Sequence, residues 1–119
     1  MTKVTKTANT LDEGVQIMIE GAKEDYKSWS SHSKDGISSY SQRQLDNWDN
    51  LIKVSKGKKY IKVIRDNSVF AFIVQEDFKH FKKGDVLKPA SYQAPALNQP
   101  RGNVLSGNYE IRWTGPMYL

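Results

Sequence analysis

The side chains that could do chemistry are few. His32 and His80 are the only histidines, and they lie far apart in the chain. The acids nearest His80 are Glu76 and Asp77. On an extended chain these two point to opposite sides, and on a helix only Glu76 would share a face with His80. Two donors do not make a metal centre, which needs several convergent ligands, so no metal and no cofactor is expected. Serines are plentiful, but none sits in a G-x-S-x-G elbow. No glycine run leads into a Gly-Lys-Ser/Thr phosphate loop. Cysteine is absent, which excludes a disulfide scaffold, a thiolate metal site and a cysteine nucleophile. The chain reads as a protein that is not an enzyme.

Basic residues are the richer signal. Residues 1–50 hold six Lys or Arg against eight Asp or Glu, a balance of −2, whereas residues 51–119 hold twelve against five, a balance of +7. One cluster comprises Lys53, Lys56, Lys58, Lys59, Lys62 and Arg65; another comprises Lys79, His80, Lys82, Lys83 and Lys88. Tyr60, Phe78, Phe81 and Tyr92 are interleaved with them. Charges gathered on one surface would bind a polyanion by releasing its counterions, and an exposed ring among them would stack on a base. The competing reading is that Phe78 and Phe81 are core and the lysines are solvated. Arg101-Gly102-Asn103 could hold a phosphate or carboxylate, or form a turn in a loop that covers the core. The residues expected to meet an anionic partner are Lys58, Lys59, Lys62, Lys82, Lys83 and Arg101. Lys59 and Lys62 are three apart on an alternating strand, which would place them on opposite faces. Trp29 and Trp48 lie on helical stripes and read as core.

The elements that must position these residues follow from pattern. At 119 residues the chain is one domain by length. Residues 1–9 are polar and expected to fray, 10–50 form a helical part, and 51–119 form a β part. Thr10-x-x-Glu13 fits a capping box. Leu11, Val15, Met18, Ala22, Tyr26 and Trp29 then form one apolar stripe at helical spacing, predicting a helix from Leu11 to about Trp29, with Gly14 and Gly21 as its weak points. Residues 28–41 are a serine-rich connector, with Asp35-Gly36 as a turn signal. A short second helix is predicted over 42–50, capped by Ser41, and 51–55 reads as a strand. Tyr60–Arg65 and Val69–Val74 form a hairpin around Asp66-Asn67-Ser68. Its second strand is apolar throughout and so should be covered on both sides, with Val69, Ala71 and Ile73 on one face and Phe70, Phe72 and Val74 on the other. Phe78 and Phe81 should tuck under the sheet. A strand is predicted over 85–88. Three prolines keep 89–107 a long loop. A last strand over 108–113 ends at Thr114-Gly115-Pro116.

Several runs taken together resemble a group of small tailed-bacteriophage proteins. They are Gly57-Lys58-Lys59-Tyr60-Ile61-Lys62-Val63, Phe81 to Lys88, Ala94-Pro95-Ala96, Arg101-Gly102-Asn103-Val104 and Trp113-Thr114-Gly115-Pro116. The resemblance covers about residues 57–119. It implies a phage origin and action inside an infected bacterium, and it supplies no catalytic residues. Phe81 to Lys88 also looks like the strand entry of small SH3-like barrels.

The fold expected is α+β: an N-terminal amphipathic helix packed on a small, mainly antiparallel sheet or an SH3-like, partly open barrel. The function expected is that of a small non-enzymatic bacteriophage protein that binds and modulates a host protein. The alternative is a nucleic-acid-binding module that uses the basic second half. No apolar run is long enough to span a bilayer and the N-terminus lacks the apolar core of a signal peptide, so the expected location is the host cell cytoplasm, away from membranes.

Overall fold

The computed structural model describes residues 2–31 and 36–117. His32 and Asp35 therefore lie outside the described residues. The chain runs β1 (Thr2–Val4), α1 (Leu11–Ser30), α2 (Ser39–Asp46), α3 (Trp48–Leu51), β2 (Ile52–Lys56), β3 (Tyr60–Arg65), β4 (Ser68–Val74), β5 (Val86–Leu87), β6 (Tyr109–Arg112) and β7 (Gly115–Pro116). The fold is α+β, as expected. The strands form two antiparallel sheets rather than one, in the orders β1-β6-β7 and β2-β3-β4-β5. Among the described residues no helix is long and apolar enough to cross a membrane.

The α1 helix starts where its cap predicts. Thr10 is extended and its Oγ1 accepts from the Glu13 N–H at 3.2 Å. The stripe buries Val15, Met18, Ile19, Ala22 and Tyr26. These side chains share one core with Ile111 of β6 and with Ile61, Val63, Ala71 and Ile73 of the hairpin. The α2 cap differs from expectation. Ser38, not Ser41, accepts from a backbone N–H, that of Ser41, at 3.1 Å. Ser41 sits inside the helix and is buried, and its Oγ accepts a hydrogen bond from the Tyr26 hydroxyl at 3.4 Å. A helix interior frees a serine side chain for such a tertiary bond, which a cap position would not.

The hairpin between β3 and β4 turns on Asp66 and Asn67, both with positive φ (49° and 66°), the combination a two-residue I′ turn requires. One detail reverses the predicted faces. Val63 pairs with Ala71 and Ile64 with Val69, so Phe70 is the extra residue of a β-bulge. The bulge sends Phe70 into the helix-side core and Val69 into a second cluster on the outer face, with Phe72, Val74, Phe81 and Leu87. Both faces of β4 are covered, as an unbroken apolar strand demands.

Two expectations are corrected. Residues 1–9 do not simply fray: Thr2, Lys3 and Val4 pair with Ile111, Glu110 and Tyr109, and Val4 is buried because Gly21 lets β1 come close to α1. Thr114-Gly115-Pro116 does not end the sheet. The chain turns at Trp113-Thr114 and pairs back, Ile111 with Pro116 and Arg112 with Gly115; proline is tolerated because β7 is an edge. Residues 89–107, by contrast, do stay a loop, as expected, and the loop packs down. Val86 N–H donates to Gly102 O and Arg101 N–H to Val86 O, both at 2.8 Å, so the loop closes the edge of β5.

Candidate functional site

The structure divides the six basic residues expected to act together. Lys58 and Lys59 lie in the β2–β3 turn, and Lys82 and Lys83 in the turn before β5. Gln75 links the first pair to β4: its Nε2 donates to Gly57 O at 2.6 Å, and its N–H donates to Lys59 O at 2.9 Å. Gln75 also lines a shallow depression with Lys56 and Lys83. Several of these cations already have partners. Lys56 pairs with Asp12 at 2.7 Å, and Lys82 lies 3.9 Å from Asp77. Lys59 and Lys62 do not diverge to opposite faces. Lys59 Nζ stands 5.6 Å from the Phe78 centroid, while Lys62 Nζ stands 5.8 Å from that of Phe72 and 4.1 Å from that of Tyr92. Those rings belong to the outer face, so both ammonium groups come to rest on one surface. Lys59 precedes the strand, where alternation does not yet apply.

Arg101 stands apart from the others. Its guanidinium donates to Gln99 O, Met117 O and Asn98 Oδ1 at 2.8–3.0 Å. This is a clamp that ties the long loop to the C-terminal segment. Lys88 reinforces it by donating to Pro116 O at 2.8 Å; burial lowers the Lys88 pKa, and Arg101 and Arg112 lower it further. His80 is likewise engaged, with Nε2 at 2.7 Å from Asn98 O and its ring over Phe81.

A second site assembles from residues the sequence scatters. Strand alternation puts Arg65 on the face of β3 that looks toward α1, together with Ile61 and Val63. There its Cζ lies 4.7 Å from the centroid of Trp48, 5.4 Å from Tyr26 and 5.6 Å from Trp113. Tyr26 meets Trp113 edge-on at 5.1 Å, and Trp29 tilts against Trp113 at 5.0 Å. Asp25 helps hold this group in place, because its Oδ2 accepts the Trp113 N–H at 2.9 Å while its Oδ1 accepts from Thr2 Oγ1. Tyr26, Trp29, Arg65 and Trp113, together with Tyr40 and Gln44, bound a cleft of about 370 Å³. Trp48 is core, as expected. Trp29 is not: it is 57% exposed, and Tyr40 is 65% exposed. At the end of the apolar stripe Trp29 packs on Tyr26 and Trp113 and leaves the rest of its ring in water.

Burial pushes the Arg65 pKa below its ordinary value, although Tyr26, Asp66 and Tyr40 pull the other way. Guanidinium starts so high that it stays charged. Arg65 Nε and Trp48 Nε1 are both buried and have no hydrogen-bond partner among the described residues. Sequence reasoning counted Arg65 as one more cation of a cluster. The signal available was its place on the apolar phase of β3.

The whole described chain, residues 2–117, matches the model of a family of unknown function, DUF7717. The chain belongs to that family. The match takes in the helical part, which the likeness over 57–119 had left outside. No curated protein and no solved structure matches it. Membership therefore assigns no activity to the chain.

Proposed function

We propose that this family member is a non-enzymatic binding module that engages a protein through the aromatic surface around Arg65. Its partner would be a protein of the bacterium in which a phage carrying it replicates, met in that cell's cytoplasm. The observation that carries the reading is the exposure of Trp29 and Tyr40 beside Trp113 and Arg65. Large aromatic rings and arginine dominate the energetics of protein interfaces, and a soluble chain gains little by leaving such a group in water. The basic residues support a polyanion reading less well. Lys56 and Lys82 have acidic partners, Arg101 is a clamp, and Lys59 and Lys62 rest on ring faces of the protein itself.

One observation favours the alternative. Tyr92 is half exposed and carries Lys62 on its face, and a ring beside a cation can stack on a nucleic-acid base. A single experiment separates the two. The protein is used to capture partners from infected-cell lysate, with and without nuclease. Changing Trp29 and Tyr40 together to Ala should abolish capture of the protein partner, whereas changing Lys58, Lys59, Lys82 and Lys83 to Ser should leave it. A partner lost to nuclease, or lost only with the lysines, would overturn the protein-binding reading.

A further inference from the structure

We infer that the cleft around Arg65 recognises a carboxylate: an Asp or Glu side chain presented by the partner protein, with an adjacent apolar residue resting on Trp29 and Tyr40. This rests on the preceding reading of the cleft as a protein-binding surface and adds the chemistry it selects. Arg65 is half-buried, and a guanidinium drawn out of water is ordinarily paired. Here three rings stand around it, and among the described residues no carboxylate lies within ion-pair distance of it. Rings attract the cation through their faces. They do not satisfy its in-plane N–H groups, which need oxygen acceptors. The missing component is therefore an acceptor, and it would meet the guanidinium from the cleft that Arg65 lines; Arg65 Nε and Trp48 Nε1 lie behind it, shut off from solvent. The planar fork of arginine matches the two oxygens of a carboxylate.

Charge balance selects the kind of anion. Among the described residues, Arg65 is the only cation lining the cleft and Asp66 the only anion. Asp66 offsets part of the guanidinium's pull, so a phosphate with nearly two negative charges would be repelled more strongly than a singly charged carboxylate. Burial, which lowers the Arg65 pKa, also removes water that would compete for the guanidinium and so strengthens whatever anion reaches it.

The site has a built-in reporter. The chain has three tryptophans, and all of them, Trp29, Trp48 and Trp113, belong to this cluster. Intrinsic fluorescence of the full chain therefore reads this cleft. The probes are N-acetyl-phenylalanyl-glutamate amide, its glutamine counterpart and inorganic phosphate. The glutamate probe should give a saturable change, and the glutamine probe should bind about tenfold more weakly, the loss of one charge-assisted hydrogen bond. Arg65→Met, which keeps a long side chain among the rings, should abolish the difference between the probes while the thermal melt stays cooperative. Arg65→Lys, which keeps the charge without the fork, should reduce the preference for glutamate and covers the case in which the Met variant does not fold. Equal binding of the two peptides would overturn the inference, as would wild-type preference in a folded Arg65 variant. Tighter binding of phosphate than of the glutamate probe would overturn it too. Loss of partner capture in the Trp29/Tyr40 double variant alongside equal peptide binding would retain the protein-binding reading and remove only the carboxylate.

Discussion

Replacing Gly14 by Ala sets two effects against each other. In a solvent-facing helix interior the change stabilises by about 1 kcal/mol. Gly14, however, faces the long loop. A Cβ there would stand 2.6 Å from the Val104 carbonyl oxygen and 2.9 Å from its Cβ and Cγ2. The obstacle is main chain, and that main chain is fixed. Val104 N–H donates to Gly84 O at 2.9 Å, and Asn103 next to it donates to Lys83 O and Asp85 Oδ1. The loop cannot retreat without loosening these bonds, so α1 must move instead. Overpacking of this kind costs about 1–3 kcal/mol, here toward the upper end because no flexible side chain can yield. Set against the propensity gain, the expected net loss is about 1–2 kcal/mol, a fall in Tm of roughly 3–10 °C for a chain of this size. Gly21→Ala is the control. Its nearest neighbours are the methyl groups Val4 Cγ2 at 2.9 Å and Ile111 Cγ2 at 3.2 Å, which can turn or shift, so the two effects should nearly cancel. Urea denaturation followed by far-UV circular dichroism, with the midpoints compared at constant m, measures both. If Gly14→Ala raises stability by about 1 kcal/mol, α1 does not lie against the 104 segment and the packing described above is wrong.

Two further outcomes follow from buried groups. Phe72 is 2% exposed at the centre of the outer cluster, so Phe72→Ala should cost about 3–5 kcal/mol in the same denaturation assay; an unchanged midpoint would mean that the outer face is open. Asp25 gives a pH signature. Burial raises its carboxyl pKa, but the hydrogen bonds it accepts, including those from Trp113 and Thr2, outweigh this and leave it below the ordinary 3.8. A depressed carboxyl contributes stability that is complete above its unfolded pKa and is lost as pH falls through the folded one. Wild type should therefore lose stability below about pH 4 faster than Asp25→Asn does; parallel curves in an acid titration of Tm would refute the assignment.

Much of the local structure is legible in the sequence because the causes are local. Thr10 and Glu13 lie within one turn of each other, and the stripe from Leu11 to Tyr26 needs only helical spacing. Asp66 and Asn67 carry their own tolerance for positive φ. What escapes local reading depends on partners distant in the chain. The bulge at Phe70 arises from how β3 and β4 meet, and alternation alone assigns Val69 and Phe70 to the wrong faces. Residues 2–4 look like a frayed end until β6, more than a hundred residues later, supplies their hydrogen bonds.

The candidate site is the extreme case of this dependence. Arg65, read along the chain, closes a run of lysines and looks like part of a solvated basic patch. Its neighbours in space come from α1, α3 and the turn after β6, and no window of sequence contains more than one of them. The same geometry explains why the lysines were the weaker clue. A lysine on a long flexible stem finds water, a ring face or a nearby acid wherever it is placed, as Lys56, Lys59 and Lys62 do. Arg65 has lost that freedom: its Nε is shut away from water and from every protein acceptor. The cation with the fewest alternatives has the most to gain from a ligand, and it stands where the chain exposes Trp29 and Tyr40.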